Sequence, residues 1–138
     1  MDILAAFDTI SPEYIKDSLL EKDLDKDAVA WYYNYFTHRN LQTDITGYKG
    51  SVTVNTGFPQ GGVCSAKFWI IAFNKAIEII NYGTTKGYGF ADDICVLAGG
   101  SDVHASIDTL QHKINLLTKW GNTCGLIFSP TKSIPIMF

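Results

Sequence analysis

The sequence predicts an α+β fold, an antiparallel β-sheet packed on helices, and three observations carry that prediction. Strand-like and helix-like segments follow one another in the order β-αα-ββ-α-ββ-α-ββ, and strand pairs alternating with helices place the helices on one face of an antiparallel sheet. Apolar spacing switches repeatedly between periods of 2 and 3.6 residues. Capping and turn residues stand where the period switches: Ser11-Pro12-Glu13, Gly57-Phe58-Pro59-Gln60-Gly61-Gly62 and Asp102.

Met1 to Phe7 reads as a strand that starts abruptly, as in a segment cut from a longer chain. Ser11 as N-cap, Pro12 at the first helical position and Glu13 in the first turn start a helix that runs to about Lys22. A second helix begins near Asp25, with Val29, Tyr32, Tyr33 and Phe36 on one face. Leu41 to Asn55 reads as two strands about a Gly47–Gly50 turn, with Ile45, Val52 and Val54 at alternating positions. The Gly/Pro run from Gly57 is a loop. From Ser65 a helix resumes, with Ala66, Trp69, Ile70, Phe73, Ala76, Ile77 and Ile80 predicted inward. Gly87–Ala91 and Ile94–Ala98 form a hairpin turning at Asp92-Asp93. Asp102 caps a long helix with Val103, Ile107, Leu110, Ile114 and Leu117 inward. Leu126–Phe128, a Ser-Pro-Thr-Lys turn and a strand over Ile134–Phe138 complete the chain. No repeat or linker interrupts it, so residues 1–138 read as one domain.

Composition narrows the function classes. Hydrophobic residues are 46% and charged residues 18% of the 138, a globular balance that implies no disordered segment. No apolar run reaches the ~18 residues of a membrane span, and no secretory leader is evident. The expectation is an intracellular protein, cytoplasmic or nuclear, without a membrane partner. Cys64, Cys95 and Cys124 are odd in number and scattered, so they read as reduced thiols and neither disulfides nor zinc ligands. The formal net charge is −3 and Arg39 is the sole arginine. That argues against a self-sufficient nucleic-acid binder; it suits an acidic core whose basic walls lie elsewhere.

The chemistry concentrates at Asp92-Asp93, two adjacent carboxylates at a hairpin tip. Aspartates favour turns for conformational reasons alone. Apolar Ile94, Cys95, Val96 and Leu97 follow directly, however, and like charges at the mouth of a buried sheet call for a cation. Asp2 and Asp8 lie near the first strand, ~20 Å apart if the chain between them is extended. They cannot both serve one cluster whose ions stand ~4 Å apart. One should meet Asp92 while the other has a structural role, and the residues alone do not choose.

Four segments together resemble a known family. Asp2-Ile3-Leu4-Ala5-Ala6-Phe7-Asp8 resembles motif A of reverse transcriptases, and Gly57-Phe58-Pro59-Gln60-Gly61 with Ser65 resembles motif B. Phe90-Ala91-Asp92-Asp93 resembles motif C, and Gly125-Leu126 through Lys132-Ser133 resembles motif D. The four stand in the family's order and cover nearly the whole chain. Their wording, Phe-Ala-Asp-Asp and Gly-Gly-Val-Cys-Ser in particular, is similar to enzymes of non-LTR retrotransposons. One departure is Ser129, where family members commonly have Asn.

The resemblance implies a polymerase palm, a fragment lacking most of the fingers and the thumb. It implies RNA-directed DNA polymerase chemistry: nucleotidyl transfer from dNTPs to a primer 3′-end on an RNA template, within a retrotransposon polyprotein and its ribonucleoprotein. Asp2, the Ile3 carbonyl, Asp92 and Asp93 would hold two Mg²⁺ ions, with Mn²⁺ a possible substitute; an all-oxygen donor set suits these hard cations. Lys132 would protonate or clamp the departing pyrophosphate. Phe7, with Ala6 before it, would be the steric gate against a 2′-hydroxyl, and Gln60 and Gly61 would lie against nucleotide and template. The partners implied are RNA template, DNA primer, dNTPs and the missing fingers and thumb. The competing readings are an inactive palm remnant, an RRM-like binding module, which expects a basic face and exposed sheet aromatics, and a cyclase or other palm-type polymerase. His38, His104 and His112 lack metal-ligand spacing and read as structural or surface residues.

Overall fold

A computed structural model describes residues 1–137. In chain order the elements are β1 (Ile3–Leu4), α1 (Ala6–Thr9), α2 (Pro12–Leu20), α3 (Lys26–Thr37), β2 (Arg39–Ile45), β3 (Tyr48–Val54), α4 (Ser65–Asn81), β4 (Lys86–Phe90), β5 (Asp93–Leu97), α5 (Val103–Cys124) and β6 (Ile127–Phe128). The chain is α+β, and its strands pair antiparallel as β1-β6, β2-β3 and β4-β5. It divides into two compact units, one of Met1–Ala6 with Phe73–Phe138, the other of Phe7–Ala72. Among the described residues no helix is long and apolar enough to cross a membrane.

In the Phe7–Ala72 unit the predicted Ser11 cap forms, and Asp25, near which the second helix is expected to begin, caps that helix. Ser11 Oγ accepts from Tyr14 N–H at 3.3 Å, and Asp25 Oδ1 accepts from Ala28 N–H at 3.0 Å. Phe36 packs edge-on against Phe58 and Phe68, at centroid distances of 5.1 and 5.6 Å. The β2-β3 turn falls at Thr46-Gly47, where both φ are positive (51° and 86°), the two-residue turn that a tight hairpin favours. It shares Gly47 with the predicted Gly47–Gly50 turn and starts one residue earlier. Leu41, Ile45, Tyr48 and Val52 share one face of this ribbon by register, and all four are exposed.

In the other unit, Asp2 bridges to Asp93, so β1 joins β6 on one side and meets the β4-β5 hairpin on the other. Strand β1 is shorter than the predicted Met1–Phe7. Ala5 takes a positive φ of 47° and turns the chain into α1, which removes Phe7 from any strand. The hairpin turn is Ala91-Asp92, with Ala91 at φ 53°, and Asp93 already pairs with Phe90. The predicted Asp92-Asp93 turn is thus one residue late. Ile134–Met137 form no strand, and Phe138, the end of that predicted strand, lies outside the described residues.

Two helix faces differ from the periodic reading. On α4 the buried positions include Phe68 and Ala72, while Ala66 and Ile70 are exposed. The inward stripe is rotated at its start because Ser65, itself buried, donates to Pro59 O at 2.9 Å. On α5, Val103 and Ile107 are exposed, Leu110 and Ile114 half-buried, and only Leu117 of the predicted five is buried. Burial concentrates toward its C-terminus, at Lys113, Leu117, Trp120, Gly121 and Cys124. Periodicity marks a face but not how far along it a neighbour extends. Gly125 at φ 77° ends α5 in the left-handed conformation that glycine adopts without strain.

Candidate catalytic site

Asp2 is set by pairing on both of its flanks. Met1 N donates to Ile94 O at 2.7 Å and Ile94 N–H donates to Met1 O at 2.8 Å. Asp2 therefore stands opposite Asp93 at the next, non-hydrogen-bonded position, where facing Cα atoms lie ~4.5 Å apart and side chains share a face. On the other flank Ser129 N–H donates to Asp2 O at 2.9 Å. That bond turns the carbonyl of the following residue, Ile3, away from β6. The Ile3 side chain is buried in the core.

Two carboxylates facing each other repel, and Lys132 is the cation beside them. Its Nζ lies 2.9 Å from Asp2 Oδ2. The same Oδ2 is buried and has this ion pair but no other polar partner among the described residues. The hydrogen-bonding contact with Asp2 raises the Lys132 pKa above its ordinary value, and the charges of Asp2, Asp92 and Asp93 add to that effect. All three predicted acids therefore act on this one ammonium.

The loop that delivers Lys132 is organised by Ser129. Its Oγ accepts from Lys132 N–H at 3.3 Å, and its carbonyl accepts from Ser133 Oγ at 2.7 Å. A serine hydroxyl can stand in for an asparagine amide as the acceptor in such local turns. The departure at this position leaves the lysine in reach of Asp2. Asp92 sits in the turn and is half-buried, and Asp93 is exposed at the start of β5. Among the described residues no three His, Cys, Asp or Glu side chains gather as a ready metal cage.

Ala6, buried at the start of α1, belongs to this unit; Phe7, Gln60 and Gly61 belong to the other. There the Phe7 ring stacks on Trp69 at 5.4 Å and meets the edge of Phe58 at 6.0 Å. Phe7 O accepts from Phe58 N–H at 2.6 Å, and Ile10 O accepts from Gly57 N–H at 2.9 Å. The glycine-rich loop is thus held on the backbone of α1 and the residues after it. Gln60 Nε2 lies 3.3 Å from both carboxylate oxygens of Asp8. Of the two early acids, Asp2 faces Asp93 and Asp8 accepts from Gln60. Gly61, at φ 80°, is exposed.

Sequence reasoning missed Arg39. Its guanidinium donates to Gly57 O at 3.0 Å and to Thr56 O, and its Nε donates to Phe36 O at 3.3 Å. The signal available was its status as the sole arginine, directly after a helix and seventeen residues before the loop it clamps. Cys64 meets the Tyr32 hydroxyl at 3.7 Å, which raises the tyrosine's pKa.

The family model described as reverse transcriptase (RNA-dependent DNA polymerase) matches residues 1–136. A Nasonia vitripennis protein described as a retrovirus-related Pol polyprotein from type-1 retrotransposable element R1 2 is 29% identical over 79 residues, 56% of this chain. The aligned stretch spans 19% of that protein's length. The chain belongs to the reverse transcriptase family.

Proposed function

We infer that this chain is one partial domain, the palm of an RNA-directed DNA polymerase within a retrotransposon polyprotein. Its reaction is transfer of a nucleotidyl group from a dNTP to a primer 3′-hydroxyl on an RNA template. The observation that carries this reading is the buried Asp2 Oδ2, which has the Lys132 ion pair but no other polar partner among the described residues, on an acid that stands opposite Asp93. A buried carboxylate oxygen short of partners is costly, and a divalent cation is a partner that removes the cost.

Asp2, Asp92, Asp93 and the Ile3 carbonyl are the oxygen donors for Mg²⁺ or Mn²⁺. Bound ions of this kind lower the pKa of the attacking hydroxyl and offset charge on the triphosphate. Lys132, paired with Asp2 and in the field of Asp92 and Asp93, is the proton donor or charge clamp for the leaving pyrophosphate. Phe7, stiffened by Trp69 and Phe58, is the gate that excludes a 2′-hydroxyl, with Ala6 preceding it. Gln60, oriented by Asp8, and Gly61 contact the nucleotide. Template and primer are gripped by the fingers and thumb of the longer protein, so the 138-residue chain alone supports little processive synthesis.

The test is Mn²⁺ binding, read from the loss of the free-ion electron paramagnetic resonance signal. Wild type should bind, and both Asp2→Asn and Asp92→Asn should weaken binding sharply while Asp8→Asn does not. Failure of the wild-type chain to bind would leave the inactive palm remnant as the better reading. Processive extension of a primed RNA by the chain alone would refute the dependence on fingers and thumb.

A further inference from the structure

The acids at the Ala91-Asp92 turn are only as well placed as the hairpin beneath them, and one side chain fastens the base of that hairpin. Asn81 is the last residue of α4. Its Nδ2 donates to Gly87 O and its Oδ1 accepts from Gly87 N–H, both at 3.2 Å. Alternate residues of an edge strand turn both backbone groups away from their partner strand. The Asn81 amide therefore acts as a one-residue surrogate strand on the open edge of β4. Its Nδ2 also reaches Ile77 O at 3.0 Å, which locks the amide to its own helix.

The surroundings leave this junction little freedom. A Cβ at Gly87 would collide with Ile80 Cγ2 and stand 2.5 Å from Cys95 O. A Cβ at Gly89 would collide with Phe73 Cε1 and stand 2.9 Å from Ile77 Cδ1. Helix α4 thus lies directly against the backbone of β4. Buried Thr85 donates to Ile80 O. Lys113, only 5% exposed, donates from Nζ to Ile79 O at 2.8 Å and Tyr82 O at 2.6 Å. Its charge complements the negative end of the α4 dipole.

From Gly87 to Asp92 is five residues, a lever of ~17 Å in extended chain. A tilt of ~3° at the base then moves the tip by ~1 Å, a displacement that costs a reaction ~10²-fold when it misplaces reacting groups. We propose that Asn81 is a positioning residue that sets the tilt of the acid-bearing hairpin, with Lys113 holding the helix end from which it acts. The catalytic consequence rests on the metal-site reading above; the mechanical claim does not.

Asn81→Leu keeps the shape and removes both bonds to Gly87. Two readings are taken on the 138-residue chain: amide hydrogen exchange at Ala91, Asp92 and Asp93, and Mn²⁺ affinity, with Asp2→Asn as the site control. Exchange at the tip should accelerate about tenfold, and Mn²⁺ affinity should fall ~10-fold or more, the range seen when groups supporting metal ligands are removed. Leu126–Phe128 exchange should stay unchanged. Unaltered tip exchange overturns the proposal whatever Mn²⁺ does, as does faster exchange with full Mn²⁺ affinity. Faster tip exchange in a chain whose wild type binds no Mn²⁺ sinks the metal reading and upholds the tether. Should Asn81→Leu fail to fold, Asn81→Asp, which keeps the acceptor for Gly87 N–H and loses the donor to Gly87 O, gives the same two readings with smaller shifts.

Discussion

Gly57→Ala tests the seat of the glycine-rich loop, and Gly61→Ala supplies its control. Both glycines have positive φ, 69° and 80°, so either alanine meets the left-handed strain of ~1–2 kcal/mol. They differ in surroundings. A Cβ at Gly61 has no heavy atom within 4 Å, whereas one at Gly57 would collide with Phe7 O and stand 2.6 Å from Asp8 C and O. Those are backbone atoms that cannot swing aside, so an overpacking cost of ~1–3 kcal/mol adds. The sums are ~2–5 kcal/mol for Gly57→Ala and ~1–2 for Gly61→Ala. Unfolding entropy of ~2.1 cal/mol/K per residue over the 138 residues gives ~0.29 kcal/mol/K. Midpoints should therefore fall by ~7–17 °C at Gly57 and ~3–7 °C at Gly61 on this scale. Thermal melts followed by circular dichroism measure both. Equal drops would refute the close approach, because strain alone would then account for each.

Four further outcomes are expected. Burial pushes the Cys124 thiol up to about 12, so at pH 8 a thiol reagent should label exposed Cys95 readily and Cys124 only on unfolding; fast labelling of Cys124 would contradict its burial. Bonds from its own backbone N–H, the Tyr33 hydroxyl and the Ser11 hydroxyl hold Glu13 below its usual 4.5. The stability they confer is present above pH 4.5 and lost as pH falls through the depressed folded value, so the melting difference between wild type and Glu13→Gln should vanish in strong acid; a difference constant with pH would sink the assignment. In a polymerase-active longer protein, Lys132→Ala should lower turnover ~10²-fold, the lower range for a proton donor, and unchanged turnover removes that role. In the same protein Phe7→Val should raise ribonucleotide incorporation, and unaltered sugar selectivity would end the gate reading.

The parts of this fold written locally were legible. Ser11, Asp25 and Asp102 cap helices because a short side-chain acceptor reaches the first free N–H groups, whatever the tertiary context. The hairpin around Asp92 was legible to within one residue because apolar strand residues flank it, although the turn itself is Ala91-Asp92. What depends on distant partners was not legible. The exposed start of α5 carries the same periodic apolar residues as its buried end, and nothing in Val103 or Ile107 says that no described element covers them. The burial of Lys113 is invisible for the same reason, since a lysine on a helix reads as solvated until two carbonyls at the end of α4 are found waiting for it. Residue type did not choose between Asp2 and Asp8, and the separation expected of them rested on strand length. Once Ala5 turns the chain, the two acids no longer belong to one strand and their separate partners follow.

The turn after β6 carries more of the site than one lysine. Ser129 N–H bonds Asp2 O and fixes where β1 lies on β6, while Ser129 Oγ accepts from Lys132 N–H and Lys132 Nζ meets Asp2 Oδ2. One residue thus sets both the strand that bears the acid and the loop that bears its counter-ion. A slip of one residue in the β1-β6 register would turn Asp2 to the opposite face of the sheet, since side chains alternate with period 2. It would send a carboxylate to the face where Ile3 is buried, and that cost selects the observed register. The acid and the cation are therefore coupled through main-chain pairing before they attract each other as charges. This coupling accounts for the Asp2–Asp93 juxtaposition, and it makes the backbone at Ser129 as much a part of that arrangement as any carboxylate.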